Sequence, residues 1–245
     1  MEQTKLAVGR RPQAAPDRVY AVLVEWIRQG DWPAGRRVVE TELSRRLGVS
    51  ATPVREALRR LEADGVLVRE PHSGMRVRTW TYEDAEALYE ARQTLEGKVA
   101  ELAAWRATPS ELDHLASLMA AQERALDCND RREAQRLDTD IHLAMGRYAR
   151  SSVLEQLLDK VWLLVPVLRA TIWERDDLTY LDHMIGDHEL LLHCLRNRSP
   201  RAAREAAEHH VRRAWERIRK ANRLEPPPSS DRRPPDPSST DADPL

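Results

Sequence analysis

Five of the eight histidines fall between residues 183 and 210, in segments whose apolar spacing is helical. A helical wheel sorts them by face. His188 shares its face with Met184, Leu191, Leu192 and Leu195, whereas His193 sits with Glu189, Arg196 and Asn197. His210 lines up with Ala203, Ala207 and Ala214, whereas the adjacent His209 aligns with Glu205, Arg212 and Glu216. In LDTDIHLAM, Asp138 and His142 stand one helical turn apart on the face of Ala134, Ile141 and Met145, while Asp140 points away with Arg136 and Arg147. One carboxylate and three imidazoles are thus directed inward. Buried polar groups need partners, and one Asp with three His is a donor set for a borderline divalent cation such as zinc or nickel, with positions left for water or a ligand. Taken alone, each histidine reads more simply as a core histidine satisfied by a neighbour. Four inward groups together favour a metal.

Two arginines are also directed inward. Arg92 lies with Leu88, Leu95 and Val99, and Arg169 with Trp162, Val165 and Ile172. Arg92 has Glu96 one turn away as a local partner. A third group of basic residues lies in GVSATPVREALRRLEADG, residues 48–65. There Val54, Ala57, Leu58 and Leu61 make one apolar face, which leaves Thr52, Arg55, Glu56 and Arg59 on the other. An outward arginine of this kind forks to guanine O6 and N7, clamps a phosphate, or merely solvates the helix by pairing with Glu56 or Glu62.

The elements that must hold these groups follow from period and punctuation. Helical spacing runs from about Asp17 to Gln29, ETELSRRLG is a short helix stopped by Gly48, and Ser50 or Thr52 caps a third helix that carries Arg55. GVLVRE and MRVRTW then read as a β-hairpin around Pro71-His72-Ser73-Gly74. Beyond Thr81 the pattern is helical throughout, with Thr108-Pro109-Ser110-Glu111 a strong capping signal. Helices are predicted at about 82–106, 109–126, 130–149, 151–174, 177–197 and 199–222. The expected fold is mainly α. A winged helix-turn-helix of three helices plus a hairpin (10–79) joins an all-α antiparallel six-helix bundle (80–222). The final segment, EPPPSSDRRPPDPSSTDADPL, has seven prolines and almost no apolar side chains, so residues 223–245 are expected to be a disordered tail.

Composition narrows the function classes. No apolar run approaches the roughly 20 residues that span a bilayer, and the N-terminus lacks the apolar core of a signal peptide, so a cytoplasmic protein with no membrane partner is expected. The two cysteines, Cys128 and Cys194, are too few for a disulfide framework. Residues 1–80 hold 15 Lys and Arg against 10 Asp and Glu, and the remainder 24 against 30. A basic front end on an acidic body suits nucleic-acid binding by the first part alone.

The stretch ETELSRRLGVSATPVREALRRLEADGVLVREPHSGMRV resembles the DNA-binding domain of the GntR family of bacterial transcription regulators, over about residues 17–79. The resemblance implies that Ser50 and Thr52 contact phosphate, that Arg55 reads operator bases with Arg59 on the backbone, and that His72 and Gly74 form a wing tip in the minor groove. Ala51 and Thr41 depart from the pattern, since relatives often carry basic residues there. Residues 82–220 are similar to the FCD-type effector domain of the FadR subgroup. That similarity implies a metal held by Asp138, His142, His188 and His210, and a small carboxylate effector approached by Arg92 of Arg-x-x-Leu-Glu and by Arg169. Ile141 and Ser151 replace the Phe and Asn usual there. The expected protein is a non-enzymatic, ligand-responsive regulator, on the family pattern a repressor, that binds a pseudo-palindromic operator in double-stranded DNA as a homodimer. A metal-sensing regulator and a metal-dependent hydrolase are the rival readings.

Overall fold

Val19, Leu23 and Ile27 recur four residues apart along α1 (Ala15–Arg28) and give it one buried stripe. The computed structural model that shows this describes residues 14–70, 74–172 and 179–221. The predicted tail and wing-tip His72 lie outside those residues. After α1 come β1 (Arg37–Val38), α2 (Glu40–Leu47), α3 (Ala51–Ala63), β2 (Leu67–Glu70) and β3 (Gly74–Val77). Gly48 ends α2 in the left-handed region, at φ 65°, a conformation that costs glycine nothing and lets α3 set off in a new direction. Ser50 rather than Thr52 takes the position ahead of α3, and its side chain makes no capping bond.

The expected hairpin is part of a three-stranded antiparallel sheet in the order β1-β3-β2. Sequence reasoning missed β1 because two residues cannot display an alternation. The pairing of Arg37 with Arg76 and of Val38 with Met75 gives it away only in three dimensions. Val38, Met75, Leu67 and Val77 turn inward to join α1 and α3 in one core.

The remaining elements are helices: α4 (Tyr82–Arg106), α5 (Pro109–Asp127), α6 (Arg131–Tyr148), α7 (Ser152–Ile172), α8 (Thr179–Arg196) and α9 (Pro200–Ala221). Capping boxes start two of them, Thr81 with Asp84 on α4 and Thr108 with Glu111 on α5. One helix belongs to both halves of the molecule. On α7, Trp162, Val165 and Leu168 pack into the bundle core, whereas Leu163 and Val167 are buried in the core of the N-terminal winged helix. A displacement of α7 is therefore felt on both sides.

Candidate metal centre and nucleic-acid interface

Asp138 and His142 project from α6, His188 from α8 and His210 from α9, and each is at most 1% exposed. The three imidazoles offer ring nitrogens that all lie within 4.8 Å of one another. Asp138 stands beside them, its Oδ1 being 3.7 Å from Nε2 of His142 and 3.8 Å from Nε2 of His188. His193 and His209 are exposed, and Asp140 faces Arg136, as the wheel predicts. Trp162 of α7 stacks on the His142 ring with centroids 4.3 Å apart and so walls the site.

Several of these atoms are buried without a hydrogen-bond partner among the described residues: Oδ1 of Asp138, Nε2 of His188 and both ring nitrogens of His142 and His210. Leaving so many polar atoms unsatisfied costs roughly 1–3 kcal/mol each, which a native core does not sustain. The donor set fits a divalent cation, one carboxylate oxygen and three imidazole nitrogens being the usual company of zinc or nickel.

Charge is dense around the cluster. Arg169 of α7 donates to Oδ2 of Asp138 at 2.7 Å. Arg92 of α4 donates to Oε1 of Glu96 at 2.8 Å, in a pair that is almost wholly buried. Trp162 Nε1 donates to the same oxygen at 3.1 Å, and Oε2 of Glu96 lies 2.7 Å from Nδ1 of His142, off-line for a hydrogen bond. Burial by itself raises the pKa of Glu96, but Arg92 and then His142 more than reverse it, and the carboxyl ends at about 2. Asp138 follows the same logic. Its burial penalty is overcome by Arg169, with His142 helping, and it stays well below the usual carboxylate range. Burial lowers His188, and its neighbours His210 and His142 lower it further. His142 is raised instead, because Glu96 and Asp138 outweigh burial.

Sequence reasoning placed Arg92 and Arg169 inward, and both are. It left open whether Arg92 pairs with Glu96, which it does. Arg169 is directed at Asp138 rather than at open space. Missing from the sequence-based site are Glu96 as the neighbour of His142, Gln122 of α5 and Asp187 of α8. Gln122 Oε1 lies 3.0 Å from Nδ1 of His188, and Asp187 Oδ2 lies 3.9 Å from Nδ1 of His210. The available signal for Gln122 was its position on the Leu115–Met119 face of α5, a polar side chain on an apolar stripe.

The chain has one Glu-x-x-His spacing of the sort di-iron bundles use, Glu111 with His114, and it is employed elsewhere. Glu111 closes the α5 capping box, and His114 hydrogen-bonds Tyr148.

At the other end of the molecule Ser50, Thr52, Arg55, Arg59 and Gly74 are all exposed. Arg55 pairs neither with Glu56 nor with Glu62. It forks onto Glu40 at the start of α2, with Nε and Nη2 at 3.1 and 2.6 Å from the two carboxylate oxygens. Glu62 takes Arg69 of β2 in the same bidentate manner. Arg55, Arg59 and Arg69 line a groove of about 500 Å³ between α3 and the sheet, so β2 adds a cation that α3 alone did not reveal.

Residues 16–77 match the model of the bacterial regulatory proteins of the gntR family, and residues 87–213 match the FCD domain. The chain belongs to the GntR family. Among relatives of this regulator is the probable D-xylose utilization operon transcriptional repressor of Paenarthrobacter nicotinovorans, 30% identical over 211 residues that cover 86% of this chain and 91% of that one. The Uxu operon transcriptional regulator of Escherichia coli K12 is 28% identical over 76% of this chain and 79% of its own length. Among solved structures, E. coli McbR/YncC superposes with a TM-score of 0.78 at 22% identity, over 86% of this chain and 99% of that one, which establishes the fold. The GntR-family regulator is thus a DNA-binding transcriptional regulator built from a winged helix-turn-helix and a helical FCD domain. No helix among the described residues is long and apolar enough to cross a membrane.

Proposed function

We propose that this regulator controls transcription in response to a small carboxylate sensed at a metal centre in the FCD domain, and that it binds a pseudo-palindromic operator as a homodimer. The observation that carries the sensing half is the group of unpartnered Nε2 atoms of His142, His188 and His210 beside Oδ1 of Asp138. Those four residues would hold a zinc or nickel ion. When bound, the cation supplies a positive charge and open positions for a carboxylate oxygen. Arg92 keeps a buried Nη1 without a hydrogen-bond partner among the described residues, a donor suited to the effector's second oxygen. Arg169 acts through Asp138, whose carboxylate it holds in place.

Output travels along α7. Trp162 and Arg169 touch the centre, and Leu163 and Val167 of the same helix are in the core of the DNA-binding half. An effector that binds one position of α7 more tightly than another shifts the population of DNA-binding arrangements, and only in proportion to that difference. Two copies are needed because one winged helix covers little DNA and two-fold proteins read two-fold sites. Arg55 is then the base-reading residue, Arg59, Ser50 and Thr52 the phosphate contacts, and Gly74 with His72 the wing.

Metal content tests the reading directly. Protein purified with zinc and dialysed should retain one equivalent per chain, and Asp138→Ala and His188→Ala should retain little. Undiminished zinc in both variants rules the centre out.

A further inference from the structure

Gln122 offers no ligand atom to the centre, yet its amide is fixed at both ends. It is 1% exposed on α5 and bridges two other helices. Its Nε2 donates to the backbone carbonyl of Ala134, on α6, at 3.3 Å. A carbonyl only accepts, so the amide nitrogen must be the end that faces Ala134. The amide oxygen must then be the end that faces Nδ1 of His188, at 3.0 Å. An amide oxygen also only accepts, which obliges Nδ1 of His188 to carry the proton. In the neutral ring the lone pair is left on Nε2, the atom that looks toward Asp138 from 3.8 Å.

From this chain of fixed polarities we infer that Gln122 is the positioning residue that sets the tautomer of His188 and holds Nε2 ready as a ligand atom. The inference rests on the metal reading above for its purpose, though not for its geometry. Nδ1 of His188 is the one nitrogen of the three rings with an aligned hydrogen bond among the described residues. Behind the other two rings stand acceptors of the same polarity, Glu96 at 2.7 Å from Nδ1 of His142 and Asp187 at 3.9 Å from Nδ1 of His210. Each ring thus has an acceptor on its Nδ1 side, drawn from α4, α5 or α8, so that coordination through Nε2 leaves every Nδ1 proton with a destination. A histidine ligand whose second nitrogen has no such partner is free to turn or to take the other tautomer, which weakens binding.

The placement of Gln122 also differs from that of the two carboxylates. A neutral amide holds the His188 proton without adding charge, while Glu96 and Asp187 are each compensated by arginine, Arg92 and Arg213 respectively. Replacing the amide by a carboxylate keeps the acceptor for His188 but loses the donor to the Ala134 carbonyl and introduces a buried charge.

Nitrogen-15 NMR of the metal-free protein reads the tautomer of His188 directly, and zinc competition against a chelator reads affinity. The wild type should show His188 protonated at Nδ1, and a ring protonated at Nε2 overturns the inference whatever the metal does. Gln122→Leu should lose the single-tautomer signature and bind zinc about 10- to 100-fold more weakly, with an altered cobalt absorption spectrum. Gln122→Glu should restore the Nδ1-protonated form and most of the affinity, which a general packing defect at residue 122 would not do. Equal zinc affinity in wild type and Gln122→Leu overturns the positioning role. A wild type that shows the Nδ1 tautomer but takes up no zinc sinks the metal reading and leaves the tautomer assignment standing.

Discussion

Arg92→Met is expected to destabilise the metal-free regulator by about 3–5 kcal/mol in urea denaturation, because it strips the Glu96 carboxylate of its arginine counter-charge in a site with no exposure to water. Methionine preserves most of the volume of the arginine side chain, so cavity formation is a minor part of the loss. The double variant Arg92→Met/Glu96→Gln recovers most of it. Glutamine removes the orphaned charge and still offers Trp162 Nε1 an acceptor in place of Oε1. The pH dependence has a definite sign. In the wild type the Glu96 carboxyl is held down at about 2, so its contribution to stability is complete above the ordinary carboxylate range and is lost as the pH falls toward 2. Without Arg92 the carboxyl is easier to protonate, and the penalty of the single variant should shrink between pH 7 and pH 4. A penalty that is the same at both values points to lost packing rather than to an unpaired charge.

Arg55→Ala lowers operator affinity by about 1–3 kcal/mol, roughly 10- to 100-fold, and does so most for the preferred sequence. Arg55 is already clamped by Glu40 before DNA arrives, and both side chains are on the solvent side of α2 and α3. That clamp orients the guanidinium fork and limits its freedom, so the base contact proposed for Arg55 would depend on geometry more than on bulk charge. Arg59→Ala is expected to behave differently. A lost phosphate contact weakens binding about equally on all sequences and reduces the salt slope by about one unit. Anisotropy titrations on operator and random duplexes at several salt concentrations separate the two. If Arg55→Ala loses affinity equally on both duplexes, Arg55 is a backbone contact and something else reads the bases.

Periodicity carried the helices well, because several apolar stripes stop at clear punctuation: Gly30, Gly48 and Gly65 close the first three helices, and the capping Thr108 separates α4 from α5. The inward placement of Asp138, His142, His188 and His210 was legible for the same reason: a polar residue on a helix face otherwise filled by Leu, Ala and Met stands out. Their mutual approach was not, since the wheel gives direction but no separation between helices. The partners of the ring nitrogens were hidden more deeply. Glu96 reads locally as the partner of Arg92, and only the packing of α4 on α6 brings its second oxygen to His142. The sharing of α7 was invisible too, because Leu163 and Val167 fit any apolar stripe and nothing local tells which core receives them. Arg55 shows the same limit. Its exposure followed from the helix, but Glu40 lies 15 residues earlier on another helix and could not be chosen over the nearer glutamates.

The proposed function requires metal and carboxylate to act together on DNA binding through one centre. It is tested most directly by operator affinity, measured for the metal-free and the zinc-loaded regulator with and without millimolar citrate, lactate or gluconate. Affinity should change when zinc and one of the acids are both present, and that change should vanish in His188→Ala. An affinity that moves on zinc alone, and no further with any acid, contradicts carboxylate sensing and makes the cation itself the signal.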